Sequence, residues 1–500
     1  MKWKQAVFLA VLIILLLTVY ILNKNIETTS GDQIHLAIGD TNANDPNLKP
    51  LLGVISGPDQ PEDSSAPTLT EQYHDIGVTS IRNNDYYDDR LDIEGIFNCG
   101  GKTYPSWAGC DPENDAYYNW EKSDAQFQSY INGDFEPFLR LGGEWENGNT
   151  NHDFKGPQNE EQEINWIRAA EKVVDRYYRW DGKQRFTYLD IWTEFPGSHF
   201  WDRSNKDFYH FWGDAYSVLH EEYPDLKIGG PGFNAGATLQ VIEGEDGPAE
   251  EFMSYMYSQK IKPDWIGWHI FQNTPESWKE AAEAYQELID GTGRYKHVAW
   301  AGTGFFNGVE QIVDAYGASD LELNENGEIE ELSAKETVNI HNKQKGAAIL
   351  TGAWIEMQYG PIERAYYYRG NDPNSAPNTK DLKNRGGPGL FYGDSTGTYK
   401  PTAYAFKLWS RIVNEYPTLL TVDLDKENPD LWVLAAKNDD EEKAILLANT
   451  GTTEKIINIG QWTKVLLYQI DDSNNGEIPI TITGDVITIP AETVILLTLQ

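Results

Sequence analysis

A glutamate with indoles on both sides is the group best placed for acid–base chemistry in this sequence. The apolar run FTYLDIWTE ends at Glu194, and Trp192, Phe195 and Trp201 lie close to it along the chain. A carboxylic acid must carry its proton to hand it to a leaving oxygen, and partly apolar surroundings favour that protonated form. We therefore predict that Glu194 is a general acid/base, with an ordinary surface glutamate as the alternative.

Residues at the ends of other apolar runs add predicted ligand contacts to this candidate site. These residues are aromatic rings, arginines and one histidine. Such a mixture suits sugars, because aromatic rings pack against the C–H faces of the sugar while charged groups hydrogen-bond its hydroxyls. Phosphate binding would need a Gly-rich loop with basic support, whereas the GGPG at 229–232 indicates close packing. His269 stands alone, so a buried core residue is an equal alternative for it. The predicted ligand contacts are Arg82, Trp192, Thr193, Trp268, His269, Trp300, Tyr368 and Arg369.

Eight short apolar or β-branched runs, separated by helical patterns, lead to these residues. Helices are predicted over 159–180 and 206–224, where apolar residues recur at spacings of three and four. Strands that alternate with helices in this way are typical of the α/β class, and eight of them indicate a (β/α)8 barrel, whose catalytic groups project from the carboxyl ends of the strands. The predicted strands are 51–57, 79–84, 135–143, 186–194, 227–232, 264–271, 297–304 and 363–370.

The predicted barrel occupies residues 50–415, between segments of different composition. Residues 1–25 contain the apolar run AVFLAVLIILLLTVYIL, long enough to span a bilayer as an uncleaved transmembrane signal anchor. Residues 26–49 are polar, which is typical of a tether. Over residues 416–500, short alternating segments between turn residues predict a small all-β sandwich domain. Within the barrel, 318–336 carries an Asn-Gly turn and predicts an inserted hairpin.

The net charge limits the partners that the protein can bind, and the cysteines indicate the compartment in which it is located. The 40 Lys and Arg residues against 78 Asp and Glu leave a net charge of −38, which repels nucleic acid and anionic membrane surfaces. Cys99 and Cys110 lie close together in the sequence. With the anchor they predict an extracytoplasmic location and a local disulfide, two free buried thiols being the alternative. If the anchor were cleaved, the protein would be secreted. No histidine cluster lies near the cysteines, and we expect neither a metal nor another cofactor.

Several longer segments resemble family 39 glycoside hydrolases, the β-xylosidase and α-L-iduronidase type. They are IRNNDYYDDRLDI, YYNWEKSDAQFQSYINGDFEPFLRLGG, YLDIWTEFPGSHFW, DFYHFWGDAYSVLHEEYPDLKIGGPG, DWIGWHIF and GPGLFYGDSTGTYKPTAYAFKLWSRI. The resemblance implies a (β/α)8 barrel with a small β-sandwich, and hydrolysis of O-glycosidic bonds with retention. It also implies a glutamate acid/base after strand four, which falls on Glu194, a glutamate nucleophile after strand seven, and a histidine on strand six, which falls on His269.

The sequence departs from the family pattern in two places. The asparagine that normally precedes the acid/base and holds the sugar 2-hydroxyl is Thr193, which lacks the paired donor and acceptor of an amide. The segment 297–306, predicted to contain strand seven, has Trp300 near the expected nucleophile and contains no carboxylate. Glu310 is the next carboxylate along the chain, and it is too far past the predicted strand end to replace the nucleophile.

Three interpretations of that missing nucleophile follow. A replacement carboxylate from another strand would give an enzyme, and Asp85, Glu144 and Glu146 are the best placed by strand order. Two carboxyl groups roughly 5–5.5 Å apart would retain configuration, and roughly 6.5–9.5 Å would invert it. In the second interpretation the barrel binds glycans without cleaving them. In the third the chain is a structural cell-surface protein that uses the barrel as a spacer.

Overall fold

The structure is a computed structural model that describes residues 33–43, 46–59, 67–83, 91–97, 99, 109–143, 156–323, 329–372, 386–460, 462 and 464–499. The predicted signal anchor, residues 1–25, lies outside this range and stays a prediction. Within the described part of the chain, none of the helices combines the length and the apolar character that crossing a bilayer requires.

The described residues form a closed barrel with surrounding helices and a separate β-sheet. The strands are β1 (Ile34–Thr41), β2 (Gly53–Ile55), β3 (Ser80–Arg82), β4 (Glu136–Arg140), β5 (Tyr188–Asp190), β6 (Lys227–Gly229), β7 (Trp265–Phe271), β8 (Glu310–Gly317), β9 (Leu321–Leu323), β10 (Ile329–Glu331), β11 (Arg364–Tyr367), β12 (Thr418–Leu424), β13 (Leu431–Lys437), β14 (Lys443–Asn449), β15 (Lys455–Asn458), β16 (Lys464–Ile470), β17 (Ile480–Thr483), β18 (Val486–Ile489) and β19 (Thr493–Leu499). The helices are α1 (Thr70–Ile76), α2 (Ile93–Ile96), α3 (Trp120–Asn132), α4 (Glu160–Tyr178), α5 (Asn205–Glu222), α6 (Ala235–Glu243), α7 (Pro248–Gln259), α8 (Glu276–Asp290), α9 (Ala334–Asn342), α10 (Gln344–Tyr359) and α11 (Pro401–Glu415).

Eight parallel strands close into a barrel in the order β11-β2-β3-β4-β5-β6-β7-β8, with helices between them along the chain. The predicted (β/α)8 barrel is therefore confirmed. The helices predicted over 159–180 and 206–224 are confirmed as α4 and α5. Each begins at a polar cap, since the side chains of Asn159 and Ser204 accept a backbone N–H of the first turn.

Strand seven of the barrel is β8, so the prediction of this strand at 297–304 is wrong. That segment forms turns, in which Gly302 and Gly304 have φ angles of 70° and 66°. Its apolar residues are buried for a different reason, because they pack against a helix. The indole N–H of Trp300 donates to the Leu288 carbonyl of α8 at 2.9 Å. A buried turn and a buried strand have similar apolar content, which explains the error.

The interior of the barrel is layered. Along β7 the side chains alternate, so Trp265 and His269 point inward, whereas Trp268 faces α8 and stacks on Tyr285 with ring centroids 5.3 Å apart. Charged side chains lie above an apolar layer, toward the carboxyl ends of the strands. The apolar layer consists of Ile55, Phe138, Tyr188, Trp265, Ile312, Ala315 and Tyr366.

Two local predictions are confirmed. β9 and β10 pair as antiparallel strands, which gives the hairpin predicted within 318–336, although its turn lies outside the described residues. Cys99 and Cys110 form a disulfide.

β1 belongs to a nine-stranded sheet that is otherwise built from the C-terminal residues, in the order β17-β16-β19-β14-β13-β12-β1-β15-β18. It pairs antiparallel with β12 and parallel with β15. The predicted tether is therefore wrong over residues 34–41. Ile34 and Leu36 alternate with exposed residues and are buried in the core of this sheet, so the segment is held by strand pairing and by apolar burial.

The sheet curls back on itself. β18 contacts β19, although several strands separate them in the hydrogen-bonded order, and Ile487 and Ile495 share one core. The predicted all-β domain over 416–500 is confirmed as all-β, but it also includes β1. Helix α10 of the barrel packs against β13, β14 and β19 and joins the two regions.

Candidate active site at the carboxyl ends of the barrel strands

Glu194 lies just past the end of β5, the fourth strand of the barrel. Its φ angle is 57°, in the left-handed region. A non-glycine residue adopts such a conformation at a cost on the order of 1–3 kcal/mol, and such residues cluster at functional sites. The side chain is 32% exposed, so the carboxylate is accessible to solvent. The surrounding structure thus holds Glu194 in a position that backbone preference alone disfavours.

His269 on β7 connects Glu194 to a buried aspartate. Its Nδ1 is 2.6 Å from Glu194 Oε1, and its Nε2 is 3.3 Å from Asp314 Oδ2. Burial alone would lower the pKa of this ring, but the carboxylates of Asp314 and Glu194 outweigh that effect and raise the pKa of His269 to about 9. His269 is therefore positively charged at neutral pH.

Arg82, the last residue of β3, binds two aspartates beneath this pair. Its Nη2 is 2.6 Å from Asp190 Oδ2 and 3.1 Å from Asp314 Oδ2, and it donates to Thr193 Oγ1 at 3.1 Å. Arg82, Asp190 and Asp314 are all fully buried. Buried charges offset their desolvation only when paired and hydrogen-bonded. Arg82 donates hydrogen bonds to Asp190 and Thr193 and forms an ion pair with Asp314.

The two aspartates share Arg82 but differ in their charge environment. Burial raises the pKa of Asp190, because Arg82 offsets only part of the desolvation. Burial acts on Asp314 in the same direction, but His269 and Arg82 together hold the pKa of Asp314 below its ordinary value. Asp314 is therefore the more firmly ionised of the two.

Two glycines, one after β6 and one on β7, allow the backbone to approach Asp314 closely. A Cβ added at Gly232, whose φ angle is 61°, would lie 2.6 Å from Asp314 Oδ2 and 3.2 Å from His269 Nε2. At Gly267 it would lie 3.0 Å from Asp314 Oδ1. The GGPG segment thus serves close packing, as predicted, and backbone covers the Asp314 carboxylate.

The structure brings four of the predicted site residues into one network, Glu194, His269, Arg82 and Thr193. His269 is buried, as its core alternative predicts, and it also contacts the predicted acid/base, whereas its contact with a ligand stays a prediction. Arg82 and Thr193 were predicted to contact a ligand, and this is wrong. Both are buried, and the Thr193 hydroxyl accepts a hydrogen bond from Arg82, so they support Glu194 and His269 from below.

The three predicted indole contacts with a ligand are also wrong, because Trp192, Trp268 and Trp300 are fully buried. Trp192 faces the helices, with its ring centroid 5.6 Å from that of Phe211 in α5. Trp268 stacks on Tyr285, and Trp300 is bonded to α8. These rings fill the space between barrel and helices, where an aromatic residue gains the most from burial.

Tyr368 and Arg369 follow β11, the last strand of the barrel. Tyr368 is half-buried, and its ring meets the edge of Phe271 at the inner face of the barrel, with centroids 5.9 Å apart. Its contact with a ligand stays a prediction. Arg369 is buried, and its Nε donates to the Asn371 carbonyl at 2.6 Å, so it holds the loop after β11. The prediction that Arg369 faces the opening and contacts a ligand is therefore wrong.

The three candidate replacement carboxylates, Asp85, Glu144 and Glu146, lie outside the described residues. Their role stays a prediction. The structure does explain why Glu310 is unsuitable. It begins β8 at the amino end of the barrel, where it pairs with Lys227.

Asp190 and Asp314 are the site residues that sequence reasoning missed. Each interrupts an otherwise apolar strand, in YLD and in IVDAY. A charged residue inside a buried strand indicates a paired group, because an unpaired buried charge is too costly. That signal was present for both residues. The prediction that strand seven contains no carboxylate is wrong, because β8 is that strand and carries Asp314, whose side chain is fully buried.

Solved structures share this fold over nearly the whole chain. A glucosidase from Croceicoccus marinus is similar with a TM-score of 0.67 at 17% identity, covering 93% of this chain and 98% of its own. A family 39 β-xylosidase from Caulobacter crescentus gives 0.60 at 16% identity, covering 93% and 99%. A family 39 enzyme from Xanthomonas axonopodis pv. citri gives 0.59 at 14% identity, covering 93% and 96%.

No protein-family model and no curated protein matches the sequence. At the identities of the solved structures, the likeness concerns the fold. The resemblance seen in the sequence is confirmed at that level, and this chain has the fold of family 39 glycoside hydrolases.

Proposed function

We propose that this protein is an extracytoplasmic O-glycoside hydrolase of the family 39 type, with Glu194 as its general acid/base. The observation that supports this most directly is the 2.6 Å contact between Glu194, one-third exposed after barrel strand four, and the charged ring of His269. A proton donor and acceptor thus meet at the carboxyl ends of the strands, where enzymes of this fold carry their chemistry. The fold shared with a glucosidase and a β-xylosidase agrees with this proposal.

The reaction needs two carboxyl groups. One protonates the leaving oxygen as the glycosidic C–O bond breaks, and the other attacks the anomeric carbon or takes a proton from the attacking water. Glu194 supplies the first. Among the described residues, the carboxylates linked to it through the network, Asp190 and Asp314, are fully buried. In this proposal the second carboxylate therefore comes from the candidates that follow strands two and three.

We propose that the protein is held at the outer face of the membrane by residues 1–25. The apolar run follows Lys2 and Lys4, and positive charge before such a run favours a cytoplasmic N-terminus. The disulfide agrees with an oxidising compartment. Alkaline extraction of membranes should leave the protein in the membrane fraction. Recovery of the whole protein pool from the medium would contradict anchoring.

Turnover of a panel of aryl glycosides and oligosaccharides tests the enzyme. We expect hydrolysis of at least one glycoside, and Glu194→Gln should lower kcat by about 10²–10⁴-fold, the usual contribution of a general acid or base. Glu310→Gln is the matched control, because it makes the same chemical change at the amino end of the barrel and should leave turnover intact. Absence of turnover for every glycoside tested would contradict the hydrolase.

Binding of glycans without cleavage is the second candidate. It is favoured by the burial of Asp190 and Asp314, which leaves Glu194 as the solvent-accessible carboxylate of the network that the structure describes. Calorimetric titration with oligosaccharides should then show binding that Glu194→Gln preserves and that Tyr368→Ala weakens. Binding without turnover in the wild type would select this candidate. Absence of both would leave a structural role.

A further inference from the structure

Both ring nitrogens of His269 face carboxylates, which determines where the protons lie. Nε2 faces Asp314 and Nδ1 faces Glu194. A neutral imidazole donates from one nitrogen only, whereas an imidazolium donates from both. Asp314 also receives the Arg82 guanidinium at 3.1 Å, so it is an ionised acceptor and Nε2 keeps its proton. The short contact on the other side then holds a proton between Nδ1 and Glu194 Oε1.

Asp314 cannot contact a sugar. Its side chain has no exposed surface, and the backbone at Gly232 and Gly267 lies against its two oxygens. Oδ2 is already occupied by His269 and Arg82. Any influence of Asp314 on the exposed Glu194 must therefore pass through the imidazole ring between them.

We propose that Asp314 is a positioning residue that, through His269, stores the proton which Glu194 delivers. This inference rests on the proposed hydrolase and specifies the proton path within its site. In the resting site the proton lies on His269 Nδ1 and Glu194 accepts it. As the glycosidic bond breaks, Glu194 takes the Nδ1 proton and passes it to the leaving oxygen. His269 is then neutral and still donates its Nε2–H to Asp314.

The second half of the reaction returns a proton to His269. Glu194 takes a proton from the attacking water, and His269 Nδ1 recovers it through Glu194. One water molecule is then added across the glycosidic bond, and no proton is gained or lost by the protein. The raised pKa of His269, about 9, agrees with a ring that is protonated in the resting site.

The charged groups around the ring come from several strands. Arg82 extends from β3, Asp190 from β5, Asp314 from β8, and Glu194 follows β5. With His269 itself, these are two cations and three carboxylates. Asp314 is the carboxylate in contact with both cations. Removing its charge should therefore lower the pKa of His269 more than removing the charge of any other single group behind the ring.

NMR titration of the His269 ring in the full-length protein tests the proposal. The wild-type ring should have both nitrogens protonated at pH 7.5 and should titrate near the pKa of about 9. Asp314→Asn, nearly identical in shape, should lower the titration midpoint by about 1–3 pH units, the effect of one opposite charge at this range. Glu194→Gln should lower it in the same direction, and Glu310→Gln should leave it unchanged.

Two results of the titration would overturn the inference. One is a wild-type ring that is neutral at pH 7.5, which requires no variant and therefore decides the question even if Asp314→Asn fails to fold. The other is an Asp314→Asn protein that folds, by circular dichroism, and titrates like the wild type. A covalent adduct on Asp314 after treatment with a 2-fluoro glycoside would also overturn it, because Asp314 would then react with the sugar directly.

Activity separates this inference from the proposed hydrolase. If the wild type hydrolyses a glycoside, Asp314→Asn should move the alkaline limb of the pH profile of kcat to lower pH by the same shift that the ring shows. A purely structural role would lower kcat at all pH values and leave the limb in place, which would contradict the proposal. If no glycoside is hydrolysed, the hydrolase fails, and the ring titration still decides the charge state.

Discussion

The two ends of the barrel both carry ion pairs, but they differ in burial and in charge balance. At the amino ends of the strands, Lys227 pairs with Glu310, to which the Tyr188 hydroxyl also donates at 2.8 Å, and Arg364 pairs with Glu136 at 2.6 Å. All four charged side chains are between 25% and 41% exposed. Each cation has its own carboxylate, and all four groups remain accessible to water.

At the carboxyl ends, Arg82 and His269 are shared by Asp190, Asp314 and Glu194. Apart from Glu194, these groups are excluded from water. The surplus of carboxylates shifts protonation, because Asp314 and Glu194 raise the pKa of His269 against the lowering effect of its burial. Balanced, solvent-accessible pairs thus only stabilise the fold, whereas an unbalanced, buried cluster can also move a proton.

The largest expected difference concerns the two arginines. Arg82→Met would leave Asp190 and Asp314 buried without their shared cation, so we expect a loss of about 3–5 kcal/mol in the free energy of unfolding. Arg364→Met at the other end should cost about 1 kcal/mol, because Glu136 remains partly solvated. Urea unfolding of both variants measures the difference. Equal losses would mean that the two ends are energetically alike.

The second difference is in pH dependence. The pKa of His269 is raised from 6.5 to about 9, so its contribution to stability is fully present below pH 6.5 and is lost as pH rises through 9. We expect a loss of about 3 kcal/mol across this window. Lys227 at the other end has a pKa above its ordinary value of 10.5 and adds no slope there.

Urea unfolding at several pH values between 6.5 and 9.5 measures this loss. His269→Gln should remove most of the slope, whereas Lys227→Gln should keep it. A wild-type stability that does not change over this range would contradict the charged state of His269.

The smallest expected effect is at the amino end. Glu310→Gln should lower the free energy of unfolding by about 1 kcal/mol or less, because Lys227 remains accessible to water when its partner is neutral. The loss should shrink further between about 0.1 M and about 1 M salt, as screening shortens the reach of exposed charges. A loss as large as that of Arg82→Met would remove the distinction between the two ends.

Local patterns were sufficient to predict much of the barrel and the position of Glu194. Apolar runs and helical spacing located seven of the eight barrel strands, and Glu194 lies four positions past the end of one of them. Strand alternation, however, shows that Trp268 and His269 cannot both face the interior, and the sequence interpretation placed both at the opening. Applying the period of two strictly would have corrected that assignment without a structure.

Other features depend on contacts that no local pattern contains. The pairing of Asp314 with Arg82 and His269 joins β8, β3 and β7, so it follows only once the barrel is closed in the right register. The pairing of β1 with β12 is equally non-local. Residues 34–41 read as a short polar segment because their partners are supplied by the other end of the chain.

β1 also has a consequence for synthesis of the chain. The His35 N–H bonds the Asp425 carboxylate across 390 residues, so this strand leaves the ribosome long before β12 and β15 exist. The barrel between them can fold first, while the two edges of β1 remain open to any other strand. A nascent or truncated chain that ends before β12 therefore leaves Ile34 and Leu36 without the strands and the core that bury them in the closed sheet.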